Sequence, residues 1–112
     1  MSDEQVRVQV VLSTCPERET LRISHALVSG GVAACVNIAH GITSVYEWEG
    51  EICEDKECLL VIKSRSDQIE ALRNLLLDVH PYEVPEILVL EVDQEKSHRA
   101  YLDWVVRVCA QP

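Results

Sequence analysis

The segment Cys58-Leu59-Leu60-Val61-Ile62 is apolar at every position, and Ile87-Leu88-Val89-Leu90 repeats the pattern later in the chain. A strand with one solvent-exposed face alternates apolar and polar residues, because successive side chains point to opposite faces of the sheet. These two segments do not alternate, so both faces of each strand need cover. A chain of 112 residues has few elements left to supply it. We therefore predict an obligate oligomer whose subunits cover each other's sheets.

The patterns around these strands predict the order β-α-β-β-α-β-α. A helix that ends at Gly30-Gly31 follows the first strand, and a second helix ends at about Val79, before Pro81. Between them, Trp48-Glu49-Gly50-Glu51 is a hairpin turn that joins two strands of roughly 12 to 17 residues, with Gly41 as a bend or bulge. The first six elements form the split β-α-β pattern of ferredoxin-like folds. We predict one α+β domain over residues 1–112, ferredoxin-like βαββαβ with an extra C-terminal helix.

The composition is typical of a soluble globular chain. Apolar residues make up 47% of the chain and charged residues 26%. The formal net charge is −9, whereas nucleic-acid binding depends on clustered Lys and Arg. No apolar run reaches the ~20 residues of a membrane span, and the start Met1-Ser2-Asp3-Glu4 is unlike a signal peptide. We therefore expect a cytoplasmic protein that binds neither nucleic acid nor a membrane.

The cysteines do not form a recognisable framework. Their number is odd, and they contain no Cys-x-x-Cys pair of the kind that structural zinc sites use. We expect reduced and mostly buried thiols. The positions are Cys15, Cys35, Cys53, Cys58 and Cys109.

The segment His80-Pro81-Tyr82-Glu83-Val84-Pro85-Glu86 places an imidazole, a phenol and two carboxylates between two prolines. Polar side chains on a stiffened loop beside a buried strand often form a functional site. The alternative is a rigid helix-to-strand joint whose polar groups are solvated. For His80 the corresponding alternative is a helix-terminal histidine that the helix dipole favours.

Four segments together resemble the CutA family, small cytoplasmic proteins associated with divalent cation tolerance. They occur in the family's order and span nearly the whole chain. The segments are Val32-Ala33-Ala34-Cys35-Val36-Asn37, Ser44-Val45-Tyr46-Glu47-Trp48-Glu49-Gly50, His80-Pro81-Tyr82-Glu83-Val84-Pro85-Glu86, and Tyr101-Leu102-Asp103-Trp104.

The resemblance implies a ferredoxin-like subunit in a compact homotrimer, similar in build to PII-type signalling trimers. It also implies a divalent metal ion as ligand, with copper as the metal associated with bacterial members. Those members use a cysteine at the end of the first strand and two adjacent histidines before the Pro-Tyr pair. The corresponding positions here are Ser13, Val79 and His80. One imidazole does not make a tight copper site, because selectivity for such ions needs several N or S ligands.

We expect the site to be a cleft between subunits. Glu57 and Lys63 share a face of one strand by parity, and they either line this cleft or pair with each other. Cys35 is either a packed thiol or a reactive one. The full candidate cleft consists of Cys35, Glu57, Lys63, His80, Tyr82, Glu86, Tyr101 and Trp104.

These observations favour a trimeric metal-response protein that binds a divalent cation or a small ligand at subunit clefts. One alternative is a PII-like regulatory or scaffold trimer without catalytic activity. Another is an enzyme that uses His80, Tyr82, Glu86 and Lys63, although the chain carries no recognisable triad or phosphate-binding motif to support catalysis. RNA binding on the sheet is disfavoured, because the chain has no Phe and a net charge of −9.

Overall fold

The computed structural model describes residues 5–110, so the acidic start from Met1 to Glu4 lies outside the described residues. Within them, the predicted order of elements is confirmed. A single 3-10 turn precedes each of the first two helices, at Glu17–Glu19 and Ser66–Gln68. The elements are β1 (Val8–Cys15), α1 (Thr20–Ser29), β2 (Cys35–Trp48), β3 (Glu51–Arg65), α2 (Ile69–Val79), β4 (Leu88–Glu91) and α3 (Arg99–Val108).

The four strands form one antiparallel sheet in the order β2-β3-β1-β4. This strand order is that of the split β-α-β pattern, so the predicted ferredoxin-like α+β fold with an extra C-terminal helix is confirmed. β4 begins at Leu88 rather than at the start of the apolar segment Ile87-Leu88-Val89-Leu90, because the chain stays irregular from Pro85 to Ile87.

The main core lies between the sheet and helices α1 and α2. Val11 on β1 is the register partner of Ile62 on β3, and both point toward the helices with no exposed surface. Leu27 on α1 and Leu72 on α2 meet them from the other side, also fully buried. This layer buries one face of β1 and of β3 from Cys58 onward, and it holds the end of β1 in place.

The opposite face of the sheet is covered only in part. Helix α3 packs Leu102 and Val105 against Val8 at one end of this face, and Arg65 donates a 2.9 Å hydrogen bond to the carbonyl of Val106. Further along, side chains of β4 remain open: Leu88 is 54% exposed and Leu90 is 44% exposed. A single chain therefore leaves uncovered the apolar face from which the oligomer was predicted.

The β2–β3 hairpin projects beyond the rest of the sheet. β1 pairs with β3 only from Cys58 to Arg65, so β2 is the sole described strand beside residues 51–57. We call this two-stranded part, residues 42–57, the ribbon. It begins at a bulge where His40 and Gly41 together lie opposite Cys58, and it ends in a turn where Glu49 and Gly50 both have positive φ. Both features agree with the predicted bulge and hairpin turn.

Candidate functional site

His80 stands at the point where α2 ends and the proline loop begins. Its backbone is extended, and its amide still donates a 2.9 Å bond to the carbonyl of Leu76, which closes the helix. The ring Nε2–H donates to the carbonyl of Thr14 at 2.8 Å, and Nδ1 accepts the amide of Tyr82 at 3.1 Å. His80 is only 8% exposed. The imidazole therefore ties the loop to the end of β1.

Tyr82 connects the same loop to the base of the ribbon. Its hydroxyl donates a 2.6 Å hydrogen bond to the carboxylate of Glu57, and its ring lies against the His80 ring with centroids 4.8 Å apart. Burial, followed by the hydrogen bond to Glu57, raises the pKa of Tyr82 well above its ordinary value. The hydroxyl consequently stays neutral and keeps Glu57, itself only 7% exposed, in a fixed position.

A pocket of about 720 Å³ opens between the end of β1, the ribbon and the loop from Pro81 to Glu86. Tyr46 and Asp55 face it from the ribbon, where the tyrosine hydroxyl donates to the aspartate carboxylate. This hydrogen bond, with a smaller contribution from burial, raises the pKa of Tyr46 to about 12. Trp48 supplies an apolar wall.

Four carboxylates line the pocket, from Asp55, Glu57, Glu83 and Glu86, and none of its described lining residues is Lys, Arg or His. Such a surface attracts cations, since nothing among the lining residues neutralises the charge. Carboxylate oxygens and hydroxyls are the ligands that hard divalent cations such as Mg²⁺ and Mn²⁺ prefer. The pocket is therefore suited to a hard divalent cation or a small cationic molecule.

The structure divides the predicted cleft residues into two groups. Glu57, His80, Tyr82 and Glu86 lie together at or beside the pocket. Lys63 is six residues along β3 from Glu57, roughly 20 Å away at strand spacing. Of the two predicted roles for Glu57 and Lys63, pairing with each other is therefore wrong within one chain, and the catalytic set that combined Lys63 with the loop residues does not meet there either.

The second group lies near α3. The Lys63 ammonium is 3.9 Å from the sulfur of Cys35, and the Tyr101 and Trp104 rings lie 5.6 Å apart. Burial and the neighbouring Cys35 thiol raise the pKa of the Tyr101 hydroxyl. These contacts explain the positions of all four side chains by the packing of α3 against the edge of the sheet.

The three positions that the family resemblance associates with copper do not form a metal site within one chain. Both ring nitrogens of His80 are engaged in hydrogen bonds, so this side chain offers no free lone pair. Val79 carries no donor atom and packs against the core. Ser13 is fully buried under the helices. His80 therefore positions the loop, and the carboxylates rather than the imidazole face the pocket.

Tyr46 and Asp55 were not predicted from the sequence as site residues. The hairpin turn sets a register in which Ser44 lies opposite Asp55. Tyr46 is two residues from Ser44 and points to the same face, so its side chain lies diagonally across from Asp55. The turn itself was predicted, and counting back from it would have revealed this pair. Thr14, whose carbonyl holds His80, carried no such signal, because its role depends on how the loop crosses β1.

Comparison with known proteins identifies the family. The CutA1 divalent ion tolerance protein family matches residues 9–108. The chain is 45% identical over 98 residues to the divalent-cation tolerance protein CutA of Thermus thermophilus, covering 87% of this chain and 93% of that protein. It is 44% identical over 102 residues to human protein CutA, covering 90% of this chain but only 56% of that longer protein.

Solved structures agree with the sequence matches. The PII-like protein CutA from Nostoc superposes with a TM-score of 0.87 at 36% identity, over 91% of this chain and 97% of the other. The names of other relatives refer to different compartments. The CutA protein of Archaeoglobus fulgidus is named periplasmic, and that of Arabidopsis thaliana is named chloroplastic. Between residues 5 and 110, no helix has the length and apolarity that crossing a membrane requires. With the family pattern covering nearly all of the chain and the fold agreeing, this chain belongs to the CutA1 divalent ion tolerance protein family.

Proposed function

We propose that this chain is a cytoplasmic homotrimer of the divalent metal ion response, which binds a divalent cation or a small cationic ligand in the acidic pocket. The observation that carries this proposal is the pocket with four carboxylates at the joint between the ribbon and the proline loop. The family's association with divalent ion tolerance points to the same ligand class. Five free thiols are compatible with a reducing compartment.

The chemistry of the pocket favours a hard cation over copper. Oxygen donors suit Mg²⁺ and Mn²⁺, whereas copper is held tightly by several nitrogen or sulfur ligands. Tyr82 and His80 contribute by holding Glu57 and the loop in place before a cation arrives. Such preorganisation lowers the cost of binding.

Calorimetric titration with Mn²⁺, Mg²⁺ and Cu²⁺ tests the pocket. We expect Mn²⁺ or Mg²⁺ to bind the parent protein, and Asp55→Asn and Glu86→Gln to weaken that binding by roughly tenfold each, since each removes one charged ligand. Glu95→Gln, an exposed carboxylate outside the pocket, is the matched control and should bind like the parent. Equal binding by the pocket variants and the control would remove the pocket as the site.

The uncovered sheet face supports the homotrimer. Leu88 and Leu90 are exposed beside Val10 and Leu12, their neighbours in register on β1. The strand that carries them is an open edge, and so is the long strand β2 on the other side. Exposed apolar strand edges favour pairing with another chain. A second and third copy of the same chain supply faces and edges of the matching kind.

Light scattering with variants of this face tests the assembly. The parent protein should have three times the mass of one chain, and Leu88→Arg combined with Leu90→Arg should shift it to the monomer, because two buried charges oppose the contact. Leu77→Arg, on an exposed leucine of α2, is the matched control and should remain trimeric. A folded parent protein with the mass of one chain would exclude the homotrimer.

A PII-like regulatory trimer is the second candidate. The solved relative from Nostoc is named a PII-like protein, and the pocket groups include a tyrosine that stays neutral rather than an activated acid or base. In this role the ligand changes the conformation of the ribbon and is not turned over. Heating curves would then show a ligand-dependent rise in melting temperature without any chemical change in the ligand.

A further inference from the structure

A second cluster of ligand atoms lies at the bulge, on the side of the sheet opposite the pocket. The Cys58 sulfur is 3.3 Å from Nδ1 of His40, and the same nitrogen is 3.9 Å from a carboxylate oxygen of Glu17. All three ligand atoms lie within 4.8 Å of one another. Cys58 and the pocket residue Glu57 are adjacent on β3, so their side chains point to opposite faces.

Three separate segments bring these residues together. The register that pairs Ala39 with Leu59 brings His40 opposite Cys58 at the bulge, so the two side chains lie on the same face of the sheet. Glu17 begins the 3-10 turn that follows β1, and β1 itself pairs Cys15 with Cys58. The cysteine spacing argued against a structural zinc site, but spacing motifs detect only ligands that lie close together along the chain. The three ligands here come from separate segments, so that argument does not apply to them.

The separations approach those of a tetrahedral zinc site, with every pair of ligand atoms within 4.8 Å. Zn²⁺ bonds of about 2.0–2.3 Å to O, N and S place neighbouring ligand atoms roughly 3.3–3.8 Å apart. The sulfur-to-nitrogen distance of 3.3 Å already fits, and the nitrogen-to-oxygen distance of 3.9 Å is slightly long. Glu17 and His40 have side chains that are 78% and 59% exposed, so small rotations close the remaining gap.

A nucleophilic cysteine–histidine pair is the competing interpretation. Such a pair needs a sulfur that an electrophile can reach, together with a positively charged neighbour that stabilises the thiolate. Cys58 is 0% exposed, and the additional charged neighbour is the carboxylate of Glu17. Both features disfavour attack on a substrate, whereas a carboxylate beside a thiol and an imidazole completes a mixed ligand set for a metal ion.

We propose that Glu17, His40 and Cys58 form a binding site for Zn²⁺ or a cation of similar preference, separate from the acidic pocket. The ligands are a carboxylate oxygen, Nδ1 and a thiolate, and the fourth position is open to water because the outer side of the cluster faces solvent. Binding releases the thiol proton of Cys58 to solvent, so the site takes up the metal with a net loss of one proton. This inference goes beyond the proposed pocket function and stands independently of it.

Cobalt spectroscopy tests the ligand set directly. Co²⁺ in place of Zn²⁺ should give a thiolate-to-metal charge-transfer band in the parent protein, which Zn²⁺ then displaces. Cys58→Ser should abolish this band. Cys53→Ser, at another cysteine of the same strand, is the matched control and should keep it.

Zinc affinity is measured in parallel by competition with a chromophoric zinc chelator. His40→Ala changes an exposed side chain, so it folds even where Cys58→Ser does not, and it should weaken Zn²⁺ binding by roughly 10- to 100-fold or more. Glu17→Gln should weaken it in the same direction. His25→Ala, an exposed histidine on α1, should leave the affinity unchanged.

Variants specific to each site distinguish metal binding at the cluster from metal binding in the pocket. Glu86→Gln in the pocket should leave the cobalt band intact, and His40→Ala should leave Mn²⁺ binding to the pocket intact. A cobalt band that survives Cys58→Ser, or a Zn²⁺ affinity that His40→Ala does not change, would overturn the cluster as a metal site. Failure of Mn²⁺ binding alone would remove only the pocket proposal.

Discussion

Strand β3 passes through two environments along its length. From Leu59 to Lys63 it has a strand on each side, and Leu60 and Ile62 are fully buried beneath the helices. In the ribbon it has only β2 beside it, and Ile52 is 76% exposed. Pairing with β2 runs through both halves apart from the bulge, so the hydrogen bonds to that strand alone do not distinguish them. Burial of apolar surface concentrates stability in the first half, while the second half carries the pocket.

This division suits a binding protein. A two-stranded ribbon without a covered face is marginally stable by itself, and the least stable parts of proteins commonly include the elements that respond to ligands. The Tyr82–Glu57 hydrogen bond and the proline loop fasten the base of the ribbon. In the proposed trimer, contacts with other subunits or with a ligand would support the ribbon beyond that point.

The largest expected effect is a core truncation in the buried half. Leu60→Ala should lower the free energy of unfolding by about 2–5 kcal/mol, because it leaves a cavity between the sheet and the helices. Ile52→Ala in the ribbon should change it by less than about 1 kcal/mol. Urea denaturation at one fixed protein concentration measures both. Comparable losses in the two variants would show that the ribbon is buried as deeply as the base, as a tight oligomer contact would require.

Two glycines with positive φ allow the packed part of the fold to be compared with the ribbon through backbone strain. Gly31 has φ +77°, and an added Cβ would lie 2.7 Å from the Cβ of Ala110. Gly50 has φ +83°, and an added Cβ there meets no described atom within 4 Å. Gly31→Ala should therefore cost roughly 2–3 kcal/mol, and Gly50→Ala only about 1 kcal/mol. Thermal unfolding of both variants checks the order, which equal costs would contradict.

A buried hydroxyl offers a stabilising change. Ser13 is fully buried, and its Oγ has no hydrogen-bond partner among residues 5–110. Ser13→Ala should raise the free energy of unfolding by roughly 1 kcal/mol, since it removes the cost of burying an unpaired hydroxyl. Ser44→Ala in the ribbon is the control and should be close to neutral. Loss of stability in Ser13→Ala would indicate that a water or another group satisfies the hydroxyl.

The smallest effect is expected in an alkaline titration of the tyrosines. Hydrogen bonds and burial raise the pKa of Tyr46, Tyr82 and Tyr101, with Tyr46 at about 12. Because each pKa is raised on folding, the associated stability is fully present below pH 10 and is lost as the pH rises through the folded values. Ultraviolet absorbance should show no tyrosine ionising near pH 10 until the chain unfolds.

Phenylalanine variants assign the steps of this titration. Tyr46→Phe should remove the component near pH 12, and Tyr82→Phe should remove one at higher pH, since Tyr82 is more buried and bonded to Glu57. A tyrosine that titrates at its ordinary value in the folded protein would show that its hydrogen bond is absent in solution.

Much of the fold was predictable because its signals are local. Pro81 ends α2 at Val79, the turn at Glu49-Gly50 joins the long strands, and Gly41 marks the bulge. The uncovered apolar face also followed from the sequence, since β4 is apolar at positions where an exposed strand would be polar. Each of these features depends on residues that are near one another along the chain.

The site was predictable only in part. The sequence pointed to the loop from His80 to Glu86, and the pocket lies there. It could not show that both nitrogens of His80 are engaged by Thr14 and Tyr82. The alternative in which Glu57 pairs with Lys63 was wrong within one chain, since six residues of strand separate them by roughly 20 Å, which the spacing in the sequence already implies.

From the amino-acid order alone came the sequence of helices and strands, the places where they end, and the need for cover on the second sheet face. Periodicity and backbone preference decide those properties over a few residues at a time. Tertiary structure alone decided which side chains meet: Tyr82 with Glu57, and His40 with Cys58 and Glu17. Those meetings join segments up to dozens of residues apart, and they depend on strand register, a bulge and the path of a loop.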